Sequence, residues 1–131
     1  MKPSVSVCIP VHRRTPYLRE TVQKVLLQTF GDWELVIGLN VSEEVSRLIH
    51  EDLREELNDP RVRIITDAAP KNMAENWNAT ISESKGDFIK LLCHDDLPHL
   101  DSLERQVKAM QDHPHVVVAS GARTIINSKG R

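Results

Sequence analysis

The stretch Phe88-Ile-Lys-Leu-Leu-Cys-His-Asp-Asp-Leu97 decides how the rest of the chain is read. Phe88 to Cys93 is a short apolar run, of the length and composition of a buried strand in a parallel sheet. It breaks off in two adjacent carboxylates, Asp95 and Asp96. Neighbouring carboxylates repel, and a divalent cation is the usual means of holding them together. Asp is equally a turn and N-cap residue, because its side chain hydrogen-bonds nearby backbone. The ten residues alone fit a turn into the next helix as well as they fit a cation site. Location separates the two readings, since ligands of open α/β sheets bind just outside the carboxyl ends of the strands.

The flanking chain supplies such a sheet. Ser4 to Ile9 is β-branched and apolar, a first strand that Pro10 ends because proline has no N–H for the ladder. Thr15 as N-cap and Pro16 at the first helical position open a helix, with Leu18, Val22, Val25 and Leu26 inward and Gly31 beyond its end. Trp33 to Leu39 is a second strand. Ser42, Glu43 and Glu44 begin a helix whose inward stripe is Val45, Leu48, Ile49, Leu53 and Leu57, and Asn58-Asp59-Pro60 stops it. Val62 to Thr66 is a third strand. Asn72 with Glu75 forms a capping box for a helix that buries Met73, Trp77 and Ile81 before Lys85-Gly86. After the opening stretch, Asp101 and Glu104 start a helix facing inward through Leu103, Val107 and Met110. His113-Pro114 breaks it ahead of a fifth strand, Val116 to Ala119, and an extended Ile125-Ile126. The order β-α-β-α-β-α-β-α-β with short connections predicts an α/β fold, a doubly wound, mainly parallel sheet with helices on both faces.

Composition bounds the function. The 131 residues make one domain, with 40% hydrophobic and 27% charged residues, as in ordinary globular chains. A net charge of −2 without a run of like charges, and few aromatics, argue against a nucleic-acid surface. No stretch reaches the roughly 18 to 20 apolar residues of a membrane span, and a strand this close to Met1 leaves no room for a signal peptide. Cys8 and Cys93 both fall in predicted buried strands and read as reduced thiols of a cytosolic protein.

Four loops are expected to gather along the carboxyl edge of the sheet. They carry His12, Arg13 and Arg14; Asn40 and Ser42; Asp67, Lys71 and Asn72; and His94, Asp95, Asp96 and His99. Carboxylates for a cation, bases for phosphate, and amides or an imidazole for a nucleobase form a nucleotide-binding set. Several other chemistries lack their motifs: the G-x-G-x-x-G fingerprint, a Walker loop and a G-x-S-x-G elbow are all missing. Cys93, His94 and His99 have no second Cys/His cluster to close a zinc site.

A series of motifs runs nearly end to end: Val5-Ser-Val-Cys-Ile-Pro10, Leu18 to Gln28-Thr29-Phe30, Trp33-Glu-Leu-Val-Ile37, Asn76-Trp-Asn78, Lys85-Gly-Asp-Phe88 and Leu92-Cys-His-Asp-Asp96. In order and spacing this series resembles the inverting GT-A glycosyltransferases of family 2, and in detail a bacterial branch that makes cell-surface polysaccharide. The resemblance implies that Asp95 contacts the ribose and that Asp96, with Asp95, holds Mn²⁺ or Mg²⁺ on the diphosphate of a nucleotide sugar, a UDP-sugar by preference. It implies a nucleobase packed on Pro10 and His12, where the family usually has an aromatic at position 12, with Arg13 of the same loop among the nucleotide-sugar-binding residues. Asn40 stands where the family has an Asp that reads a base edge, in Leu39-Asn40-Val41-Ser42 rather than Asp-Asp-Gly-Ser. Lys71 and Asn72 match a loop that contacts base or diphosphate. No residue matches the family's catalytic base, which follows an acceptor-binding segment. Residues 1–131 are therefore expected to be the donor-binding part alone, without the acceptor part and inactive by itself, its acceptor unidentified. The resemblance further implies a cytoplasmic location, at the inner membrane face in a longer protein, and an unfinished sheet edge that associates with copies of itself. The alternative is a non-catalytic nucleotide-binding or interaction module of the same fold.

Overall fold

The computed structural model describes residues 2–67 and 69–131. Its elements are β1 (Val5–Val11), α1 (Leu18–Leu26), β2 (Trp33–Leu39), α2 (Glu43–Asp52), a 3₁₀ turn (Glu56–Asn58), β3 (Val62–Thr66), α3 (Met73–Ser82), β4 (Phe88–Leu91) and α4 (Ser102–Asp112). The strands form one parallel sheet in the order β3-β2-β1-β4. Right-handed crossovers place α1 and α2 on one face and α3, which carries the chain back past β1, on the other.

The two faces differ in chemistry. On the α1/α2 face, Val5, Val7, Ile9 and Val11 of β1 and Leu35, Ile37 and Leu39 of β2 pack with Leu18, Val22, Val25, Ile49 and Leu53. Leu103 and Val107 of α4 join this cluster. On the α3 face, small and polar groups bring the helix close. A Cβ at Gly38 would lie 1.9 Å from Thr80 Oγ1, so only glycine fits beneath α3 here. Asn76 Nδ2 reaches the carbonyls of Val11 and Gly38, both at 3.4 Å. Lower on that face Ser6 Oγ donates to buried Glu34 (2.6 Å), which also accepts from Lys85 N (2.7 Å). A Cβ at Gly86 would lie 2.6 Å from Ser6 N, so glycine lets the α3–β4 turn press on β1.

Several expectations are corrected. The segment 116–119 forms no strand: Val117 and Val118 are 87% and 75% exposed, and β propensity without a pairing partner or a face to bury does not make a strand. The last β of the predicted order is therefore missing among the described residues. Helix α1 begins at Leu18, because Thr15 Oγ1 is used two residues on, accepting from Tyr17 N (3.3 Å). In α3 the capping box of Asn72 and Glu75 forms as expected, but Asn76 and Thr80 face the sheet while Met73 is 69% exposed. Asp101 is the N-cap of α4 without a side-chain hydrogen bond. Strand β4 ends at Leu91, leaving Cys93 exposed rather than buried, whereas Cys8 is fully buried.

Pro10 lies inside β1, which runs on to Val11. The backbone alternation explains why. Ser4 and Cys8 accept from Phe88 N and Leu92 N, so even-numbered residues of β1 face β4, while Val11 O faces β2 through Asn40 N. The N–H that Pro10 lacks is the one that would carry the β1–β4 ladder past Leu92. The ladder stops there.

Candidate functional site

From β1 the chain steps to β2 and β3 in one direction, then crosses to β4 on the other side of β1. That reversal makes the carboxyl ends of β1 and β4 the topological switch point, where such sheets leave a crevice. Its two lips are the segments that follow Val11 and Leu91.

The lips meet through histidines. His12, exposed after β1, faces His94 with ring centroids 5.3 Å apart and planes tilted by 34°. His94 is buried, and burial pushes its imidazole below its usual value, with Asp95 opposing; Nδ1 has no hydrogen-bond partner among the described residues. Asp96 N donates to Cys93 O (3.2 Å), closing a turn that presents Asp95 and Asp96 side by side to solvent. Lys90 sits behind this turn. Burial, then Arg123, depresses its ammonium, while Asp96 acts the other way.

Helix α1 and the turn that follows it hold the acidic segment at both ends. Buried Thr21 donates to His94 O (3.3 Å). Gln28 donates to His99 O (2.6 Å) and accepts from Leu103 N (3.1 Å), so it supplies the cap that Asp101 does not. Thr29 N adds a bond to Leu100 O (2.8 Å). His94 stands in the loop where it was expected, whereas Thr21 and Gln28 were not among the expected site residues. Their signal in the sequence was faint, limited to the motif Gln28-Thr29 before the Gly31 stop.

The remaining expected residues divide. Pro10 lies buried beneath the crevice, and Arg13 is exposed without an ion pair among the described residues. Arg14 turns away to a two-pronged pair with Asp52, at 2.8 Å for both bonds, in a groove between α1 and α2. With Arg19 tied to Glu55 and Glu56, that groove's paired arginines offer little to a phosphate. Asn40, Lys71 and Asn72 gather beside the β2 end as expected, but largely satisfied by one another's surroundings. Asn40 bonds Asp67, Ala69 and Lys71; the Lys71 ammonium pairs with Asp67, holding that carboxyl below its usual range; Asn72 caps α3.

The sequence matches the family described as "Glycosyl transferase family 2" over residues 6–131. The chain belongs to glycosyl transferase family 2. Among its relatives, the putative glycosyltransferase EpsE of Bacillus subtilis is 27% identical over 128 residues, covering 98% of this chain and 46% of that protein. The Escherichia coli UDP-Glc:alpha-D-GlcNAc-diphosphoundecaprenol beta-1,3-glucosyltransferase WfgD is 27% identical over 106 residues, covering 81% of this chain and 40% of its own length. The chain thus spans less than half of either relative. The mannosyltransferase PcManGT of Pyrobaculum calidifontis, solved with GDP-Man and Mn²⁺, shares the fold with a TM-score of 0.72 at 18% identity, over 86% of this chain and 34% of that one. The GT-A type of α/β sheet is therefore the fold of this family 2 member.

The donor atoms can be tested against a divalent cation. No group of three or more His, Cys, Asp and Glu side chains is poised to hold a metal among the described residues. Mg²⁺ and ions like it are commonly held by one or two carboxylates plus substrate phosphates and water rather than by an all-protein cage. Two exposed neighbouring carboxylates at the mouth of the crevice fit that mode. No helix among the described residues is long and apolar enough to cross a membrane.

Proposed function

We propose that this chain is the donor-binding part of a metal-dependent, inverting glycosyltransferase. It takes a nucleoside-diphosphate sugar, a UDP-sugar by preference, into the crevice between β1 and β4. The observation that carries the reading is the meeting of His12 and His94 at the switch point with Asp95 and Asp96 beside them. Asp96, with Asp95, would hold Mn²⁺ or Mg²⁺, and Asp95 would also meet the ribose. His12 offers a ring face to the base, and Arg13, without an ion pair among the described residues, a cation to the phosphates. A divalent cation bound there stabilises the negative charge that grows on the leaving diphosphate. WfgD's name specifies a UDP-sugar and the PcManGT structure contains GDP-Man with Mn²⁺, which supports the class of donor and of ion.

Inversion also requires a base that takes the proton of the acceptor hydroxyl, and none of residues 1–131 is assigned that role. The isolated chain is expected to bind donor without turnover, and the acceptor and its membrane association belong to the whole protein. WfgD's name specifies a diphosphoundecaprenol-linked acceptor, which supports a lipid-linked saccharide as the acceptor class and a place at the cytoplasmic membrane face for the whole protein. Titration of the chain with UDP and GDP, with and without Mn²⁺, tests the proposal. Metal-dependent binding that is lost in Asp96→Ala, with the fold retained, is the expected result. Absence of binding by the folded chain would leave the interaction-module reading instead.

A further inference from the structure

This inference rests on the donor-site reading, and it concerns the position where the chain departs from its family. Asn40 follows β2, and each of its side-chain groups is engaged. Nδ2 donates to Asp67 O (2.9 Å) and Ala69 O (2.8 Å), while Oδ1 accepts from Lys71 N (3.2 Å). Its own N–H goes to Val11 O (2.9 Å), and Asp67 N goes to Leu39 O (3.1 Å). Exchanging the amide's O and N would set oxygen against two carbonyls and NH₂ against an N–H, so the network itself fixes the assignment. Among side chains of this size only a carboxamide carries two donors and an acceptor in that fork. A carboxylate has no donor, and its charge would face two carbonyl oxygens close to Asp67.

We propose that Asn40 is a positioning residue: a clamp that ties the end of β1, the end of β2 and the turn after β3 into one rim of the donor site, rather than a group that reads the nucleobase. Both amide protons are already spent, so the base edge has nothing to take from them. What Asn40 governs is the placement of the backbone at Asp67, Ala69 and Lys71, together with the Lys71–Asp67 pair beside the crevice.

Asn40→Asp and Asn40→Ala separate the two roles, with UDP and GDP as probes in Mn²⁺. A clamp predicts that both variants bind both nucleotides about tenfold more weakly, the loss of one or two hydrogen bonds' worth of order, with the UDP-to-GDP preference unchanged. Hydrogen exchange at Lys71 N–H should quicken in Asn40→Ala and stay slow in Asn40→Asp, which keeps the acceptor. Tighter or unchanged UDP binding by Asn40→Asp, or an altered UDP-to-GDP preference with Lys71 exchange unmoved in Asn40→Ala, would overturn the clamp. If the parent chain binds neither nucleotide, the donor-site reading fails by itself. Lys71 exchange then still decides the clamp: quickened exchange in Asn40→Ala supports it and unchanged exchange refutes it.

Discussion

Replacing Gly38 by Ala tests how α3 is seated. The added Cβ would lie 1.9 Å from Thr80 Oγ1, 2.9 Å from its Cβ and 3.0 Å from its Cγ2. Thr80 is fully buried and donates to Asn76 O (2.8 Å), and a β-branched side chain in a helix has few rotamers to escape to. The helix must therefore lift, stretching the Asn76 bonds to Val11 and Gly38 that are already 3.4 Å long. Overpacking of this kind costs about 1–3 kcal/mol, and the loosened polar contacts bring the expectation to about 3 kcal/mol. Thr80→Ala removes Oγ1 and Cγ2 but leaves Cβ, so Gly38→Ala should cost about 1–2 kcal/mol less in that background. Urea unfolding of the parent, both single variants and the double variant, followed by circular dichroism, measures the coupling. Costs that add within about 0.4 kcal/mol would mean that Gly38 and Thr80 do not oppose each other across the interface, and the reasoning would fail.

The other predictions concern charge and the sheet edge. Burial raises the Glu34 carboxyl, but Ser6, the Lys85 N–H and Arg63 outweigh it and hold the carboxyl below its usual 4.5. The folded state thus binds this proton less readily than the unfolded state. The stabilisation is present above about pH 4.5 and lost as pH falls through the lower folded value. Glu34→Gln should flatten the acid limb of stability against pH, and parallel acid limbs in parent and variant would contradict the assignment. Strand β4 is a sheet edge with Ile89 half exposed, and such an edge recruits other strands. The chain should sediment as a concentration-dependent mixture, shifting to monomer in Ile89→Lys, whereas a concentration-independent monomer in the parent would refute self-association.

Much of the fold was legible because its signals are local. The strands at Trp33–Leu39 and Val62–Thr66 have the boundaries read from their apolar runs, and the capping box of Asn72 and Glu75 needs only four residues to be seen. Alternation of strand and helix was enough for the parallel sheet. Local signals misled where a partner decides the outcome: Val116 to Ala119 has strand composition but no neighbour, and Met73 has helical spacing but a sheet too close to admit it. For the site, Asp95 and Asp96 lie in the turn beyond β4, which ends at Leu91 rather than at the expected Cys93. The roles of Asn40 and Gln28 were not legible, since each depends on backbone groups tens of residues away, at Lys71 and at Leu103. A side chain's hydrogen-bond inventory is written in the sequence; which groups it meets is not.

Pro10 gives the crevice a property that its lining residues do not share. The gap between β1 and β4 begins where an N–H is chemically missing, so the notch is cut in the main chain rather than carved by side chains. Its shape then survives changes among the groups around it. The side chains at positions 12 and 40, here an imidazole and an amide, can change without closing the space between the strands. Any other residue at position 10 would restore a donor opposite Leu92 O and invite one more rung. A scaffold whose opening is fixed by one imino acid leaves the rest of the rim free to vary with the donor.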